Sequence, residues 1–157
     1  MRQLWEFGYC LRLLRAHLRF GELSRAPLRF VHIEVRDDAA KCDWIARAPD
    51  PWDDDLTAER QAQRASLQAL EDALVLREML FLALPGVQRA ELRSFRAQIR
   101  DLPELIIEGE VSKSQDPPPR VSSVAMRAML SGFRFWMENG ILRALDKPEA
   151  PAFEHAI

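Results

Sequence analysis

Two stretches of this chain repeat one plan, and that repetition constrains the fold more than any single motif does. Residues 28–47 and 88–113 each read as a pair of strands. Each is followed by a proline-marked acidic break, Pro49-Asp50-Pro51 in the first and Asp116-Pro117-Pro118-Pro119 in the second, and each break leads into a helical stretch. Proline cannot continue a helix or occupy a central strand, so the breaks separate the elements. The expected architecture is hairpin, helix, hairpin, helix.

The strand assignments rest on residue alternation. Arg89, Glu91 and Arg93 alternate with Ala90 and Leu92, and Leu105, Ile107, Gly109 and Val111 alternate with Glu104, Glu108 and Glu110, the pattern of strands with one buried and one wet face. Phe95, Ala97 and Ile99 fall out of phase with Ala90 and Leu92, which places a bulge near Ser94-Phe95. In the first hairpin Cys42, Trp44 and Ala46 alternate with Lys41, Asp43 and Arg47, and the turn falls near Asp37-Asp38. Trp44 is a core candidate.

The helix following the first hairpin spans about residues 56–84, with Asp54 or Asp55 as N-cap and Pro85-Gly86 as its stop. It is polar in its first half and apolar in its second. At 1.5 Å per residue it extends ~40 Å, so its first turns project from the sheet or lie over another element. The second helix covers about residues 121–130, with Val124, Met129 and Leu130 available for burial. Residues 133–145 fit a strand, an Asn139-Gly140 turn and a return strand, or a helix ending at an Asn-Gly cap; Gly132 favours the strand. At the N-terminus Leu4, Phe7, Leu11, Leu14 and Leu18 form one face of an amphipathic helix, with Arg12, Arg15 and Arg19 on another.

These readings define an α+β fold. An antiparallel sheet of at least four strands, built from two hairpin-helix units, carries helices on one face, and the N-terminal amphipathic helix adds to it. A chain of 157 residues, 48% hydrophobic and 29% charged, suits a single globular domain over residues 1–146, with 147–157 as a flexible C-terminal tail.

Composition narrows the function. A net charge of −2 gives no field for nucleic acid or an anionic membrane, and no apolar run reaches the ~20 residues of a spanning helix. Nineteen arginines against three lysines fit a GC-rich bacterial genome, and two cysteines far apart, Cys10 and Cys42, fit a reducing cytoplasm. Glycine-rich phosphate loops, metal-ligand spacings and nucleophile elbows are not found, so neither a cofactor nor a catalytic set is assigned.

The remaining candidates are surfaces. Trp52 and Asp53, in the acidic loop, together with Arg60 and Arg64 on the following helix and Arg12 and Arg15 at the N-terminus, form the candidate interface. The acids at 50–55 are read as helix-capping groups rather than a cation site. The arginines at 89, 93, 96 and 100 are read as paired with Glu104, Glu108 and Glu110 rather than as a phosphate track.

Arg77 and Arg127 stand in otherwise apolar helical stretches, where a buried guanidinium requires a partner. The structural reading pairs each with a carboxylate distant in sequence. The ligand reading places them with His32 and Glu34 around an anion, in a pocket between sheet and helices. The leading expectation is a non-catalytic interaction or assembly subunit that meets a protein partner or itself; the alternative is a small-molecule-binding or catalytic domain.

Overall fold

The computed structural model describes residues 29–49, 54–115 and 120–145. Strands β1 (Arg29–Arg36) and β2 (Ala39–Ile45) form the first hairpin, and helix α1 (Ala58–Ala83) follows. Strands β3 (Arg89–Arg96) and β4 (Glu104–Ser112), helix α2 (Val124–Leu130) and strands β5 (Phe133–Glu138) and β6 (Ile141–Arg143) complete the order. The six strands lie in the sheet in sequence order, and the α+β class holds.

The sheet is mostly antiparallel, with one correction to the expected pattern. β2 and β3 run parallel, Ala40 opposite Ala90 and Cys42 opposite Leu92. A parallel pair needs a crossover to return the chain to the starting edge of the sheet, and α1 is that crossover. The joint between β4 and β5 differs, because those strands pair antiparallel around Glu108 and Arg134. The two hairpin-helix stretches are therefore connected in different ways, and a third hairpin, β5–β6, follows them.

The hairpin turns match their residues. Asp37 at the first tip has φ 54°, and Asn139 and Gly140 at the third have φ 54° and 75°, the left-handed pair that a two-residue I′ turn demands. The register slips between Ser94 and Phe95 as the alternation required, and the extra residue is Ile106 of β4. Phe95 consequently stays opposite Ile45, buried outside the helix-side cluster.

One apolar cluster joins the helices to the sheet. Ile33, Cys42, Trp44, Leu92, Ile107, Val111, Phe133 and Leu142 come from the strands, and Leu70, Leu76, Leu80 and Ala128 from the helices. Residues 69, 70, 73, 76, 77, 80 and 81 of α1 are buried, the three- and four-residue spacing of a helix with one face in a core. The N-cap of α1 is Thr57, whose side chain accepts from the Arg60 backbone N–H, so Asp54 and Asp55 do not cap it.

The first turns of α1 lie over the β5–β6 hairpin. Gln63 Nε2 donates to the Asn139 carbonyl at 2.8 Å, and the buried Ser66 hydroxyl accepts from the Leu142 N–H at 2.9 Å. Two glycines let the C-terminal end of α2 approach β4. A Cβ on Gly109 would stand 2.5 Å from the Gly132 carbonyl oxygen, and Gly132 has φ 102° with its own Cβ position 2.8 Å from the Glu110 carbonyl. The two backbones meet closer than any side chain allows.

Candidate functional site

α2 is a seven-residue helix in which every residue except Arg127 is apolar. Ser123 caps it by accepting from the Met126 N–H. At 100° per residue, Val124, Ala125 and Ala128 share one sector, and these three pack into the core. Met126, Met129 and Leu130 occupy the opposite sector, 55%, 64% and 43% exposed. Of the three residues available for burial, Val124 packs against the core while Met129 and Leu130 do not. A short helix with core contacts on one side leaves its other side in water, whatever residues it carries.

Arg127 borders the same outward sector. Its Nε is buried without a hydrogen-bond partner, and its side chain makes no ion pair or hydrogen bond to any described residue, while its backbone N–H donates to the Ser123 carbonyl at 2.9 Å. Arg77 is placed quite differently. Buried on α1, it donates from Nη2 to the Ser112 carbonyl at 2.8 Å and the Gln115 carbonyl at 2.7 Å, and its guanidinium lies 5.5 Å from the Phe81 ring centre. These bonds tie the end of β4 to the helix through backbone oxygens.

The four residues of the ligand reading are not brought together. Ile33 and Val35 turn toward the core, so His32 and Glu34, which alternate with them, lie on the other face of the sheet from Arg77 and Arg127. There His32 Nε2 stands 3.4 Å from Glu34, and Glu34 is 2.7 Å from Arg36. A shallow depression of 330 Å³ beside them is lined by Glu34, Arg36, Lys41, Arg89, Glu91 and Glu110, three acids against three bases. Lys41 pairs with Glu91 at 3.5 Å, and the balanced charge gives the depression no preference for an anion.

Of the four arginines at 89, 93, 96 and 100, two meet a carboxylate among the described residues, and one of these takes a partner other than the expected glutamates. Arg96 meets Glu104 at 2.9 Å as foreseen. Arg93, opposite Glu108 in register, instead grips the buried Asp43 carboxylate of β2 with two bonds of 2.8 and 2.6 Å, which raises the guanidinium pKa. Glu108 takes Arg134 of β5.

Sequence reasoning missed a buried ion pair under α1. Arg47 Nε stands 3.1 Å from Asp72, and Gln68 Nε2 donates to the other Asp72 oxygen at 2.9 Å. Burial pushes the Asp72 carboxyl up to about 6, with Arg47 and then Gln68 opposing that shift. The signal was available: Asp72 follows Ala69 by three residues and precedes Leu76 by four, on the buried row of the helix.

Of the candidate interface, Arg60 and Arg64 are exposed on the first turns of α1. Trp52, Asp53, Arg12 and Arg15 lie outside the described residues, as do the N-terminal helix and the C-terminal tail. Among the described residues no group of His, Cys, Asp or Glu is placed to hold a metal ion, and no helix is long and apolar enough to cross a membrane. In comparisons with known proteins, no family model, no curated protein and no solved structure matches the chain.

Proposed function

We propose that the chain is a non-catalytic interaction or assembly subunit of a bacterial cytoplasmic complex, self-association being one form this can take. The observation that carries the reading is the outward side of α2. Three large apolar side chains on one seven-residue helix meet water, and clustered exposed apolar residues mark surfaces that another molecule covers. Methionines suit such a surface because their unbranched chains adapt to a partner. Arg60 and Arg64, exposed at the start of α1, belong to a second candidate contact with Trp52, Asp53, Arg12 and Arg15.

An anion-binding or catalytic pocket between sheet and helices is the weaker reading. Arg77 spends donors on two carbonyls, and His32 and Glu34 lie across the sheet.

Light scattering at several concentrations, with isolation of the tagged chain from its host cell, tests the proposal. A stoichiometric complex or a concentration-dependent oligomer is expected, and Met129→Lys should weaken it. A strictly monomeric chain with no stoichiometric partner removes the reading.

A further inference from the structure

Both helices pack on the sheet face that carries Cys42, Leu92 and Ile107. Ile45, Phe95 and Leu105, which form one register row across β2, β3 and β4, alternate with those residues and point to the opposite face. A side chain on a bare sheet face stays substantially in water, because strand neighbours flank it without roofing it. Phe95 and Ile45 are nevertheless only 2% and 7% exposed. The Arg93 guanidinium lies 5.5 Å from the Phe95 ring centre, but it belongs to the bordering row, where Asp43 holds it. The β3–β4 loop turns outward rather than over the row, with Ile99 and Leu102 100% and 65% exposed. The row is out of water without a second molecule, so its cover belongs to this chain and comes from outside the described residues.

Four segments lie outside the described residues: 1–28, 50–53, 116–119 and 146–157. Residues 116–119 follow the far end of β4, and Ser112 stands about 23 Å along the strand from Leu105. Residues 50–53 follow Arg47, which is drawn to Asp72 on the helix side of the sheet. Residues 146–157 do leave from the row, since the Leu145 N–H donates to the Leu105 carbonyl at 2.8 Å, but their large apolar residues are only Phe153 and Ile157. Residues 1–28 enter at the row's other end, because Arg29 pairs with Ile45. They carry Leu4, Phe7, Leu11, Leu14 and Leu18 at helical spacing.

We propose that the helix-free face of the sheet is the docking surface for the chain's own N-terminal segment, whose apolar stripe from Leu4 to Leu18 crosses Ile45, Phe95 and Leu105 as an amphipathic helix. The dimensions agree: the stripe would span about 21 Å, and the row from β2 to β4 about 10 Å. Residues 21–28 give the chain room to turn back from Arg29 over the face. Trp136, next along the row on β5 and 55% exposed, marks where the cover stops. The sheet then carries helices on both faces. Arg12 and Arg15 lie apart from the stripe and form an outward contact of their own, across the sheet from Arg60 and Arg64.

A nitroxide on the full-length chain tests this placement. Arg12→Cys in a Cys10→Ser background provides the attachment point, and Cys42, fully buried, does not react. In the NMR spectrum the label should broaden the amide signals of Ile45, Phe95 and Leu105 more strongly than those of α1 and α2. Urea denaturation of full-length variants supplies a second measurement. Leu11→Asp should lower the midpoint by about 1 M, whereas Phe153→Asp should leave it unchanged.

Broadening centred on α1 or α2, or absent from the sheet, overturns the proposal, and so does a Leu11→Asp midpoint equal to that of the wild type. A midpoint lowered by Phe153→Asp and not by Leu11→Asp makes the C-terminal segment the occupant. Labelled chains mixed with unlabelled, isotope-enriched chains separate the last alternative: broadening of Phe95 in the enriched chain makes the cover a second copy. Either result overturns the placement, and none of these outcomes bears on whether the outward side of α2 meets a partner.

Discussion

The two helices treat an inward or bordering arginine in opposite ways. α1 buries Arg77 and Asp72 and answers them from within the fold, with the Ser112 and Gln115 carbonyls for one and Arg47 and Gln68 for the other. On α2 the Arg127 side chain has no hydrogen bond or ion pair to a described residue, and the two methionines face water. Buried charge is expensive unless paired, so Arg77 needs those carbonyls, whereas the half-buried Arg127 can keep part of its guanidinium in water. The difference suggests that α1 is scaffold and that the outward side of α2 serves something else.

The sharpest way to break that division is to truncate one large side chain on each helix. Leu76→Ala, at a fully buried position on α1, should cost about 3–4 kcal/mol in urea denaturation. Met129→Ala on α2 should stay within about 0.5 kcal/mol. Comparable losses would make α2's outward side part of the packed structure. Next come the arginines: Arg77→Met should cost about 3 kcal/mol by orphaning two carbonyls, whereas Arg127→Met should cost nothing or stabilise slightly. Equal destabilisation by the two would assign Arg127 a structural partner.

Asp72 tests whether α1's internal answer is complete. Its carboxyl stands above the ordinary 3.8 at about 6, so the protonated form favours the fold. That contribution is complete below about pH 4 and is lost as pH rises through about 6, amounting to roughly 2–3 kcal/mol. Relative to Asp72→Asn, the wild type should lose that much between about pH 4 and about pH 7 in denaturant titrations. A flat difference would mean that Arg47, 3.1 Å away, fully compensates the burial. The smallest effect is expected where α1 overlies the third hairpin: Gln63→Ala should cost about 1 kcal/mol, the contribution of one hydrogen bond. A null result would leave Ser66 as the contact that holds α1 there.

Local pattern carried much of the fold. The alternation of Leu105, Ile107 and Val111 with glutamates marked β4, the phase slip located the irregularity at Ser94-Phe95, and Asn139-Gly140 took up the left-handed turn that its residues favour. The parallel pairing of β2 with β3 was not legible, because each hairpin is a local object and nothing within it says where the crossover helix will set it down. The bulge was located without its strand; that the extra residue is Ile106 depends on which side of the pair bends.

The site was harder to read for a related reason. An all-apolar stretch such as residues 124–130 looks like core from every direction, and which side remains outside is decided by the sheet and by α1. Arg77 and Arg127 stood out as guanidiniums among apolar residues, but two similar local settings hide opposite outcomes. Only tertiary structure distinguishes carbonyls within reach from a side chain with no acceptor among the described residues.

The close approach of Gly109 and Gly132 has a consequence for recognition. The backbones of β4 and the α2–β5 joint are in direct contact, which anchors the C-terminal end of α2 against the sheet. If the outward side of α2 is a contact surface, a helix anchored in this way gives up little conformational entropy on association, so a small contact would retain more of its gross interaction energy as affinity. A residue larger than glycine at position 109 would push these backbones apart and so change the aim of α2 without altering any residue on its outward side.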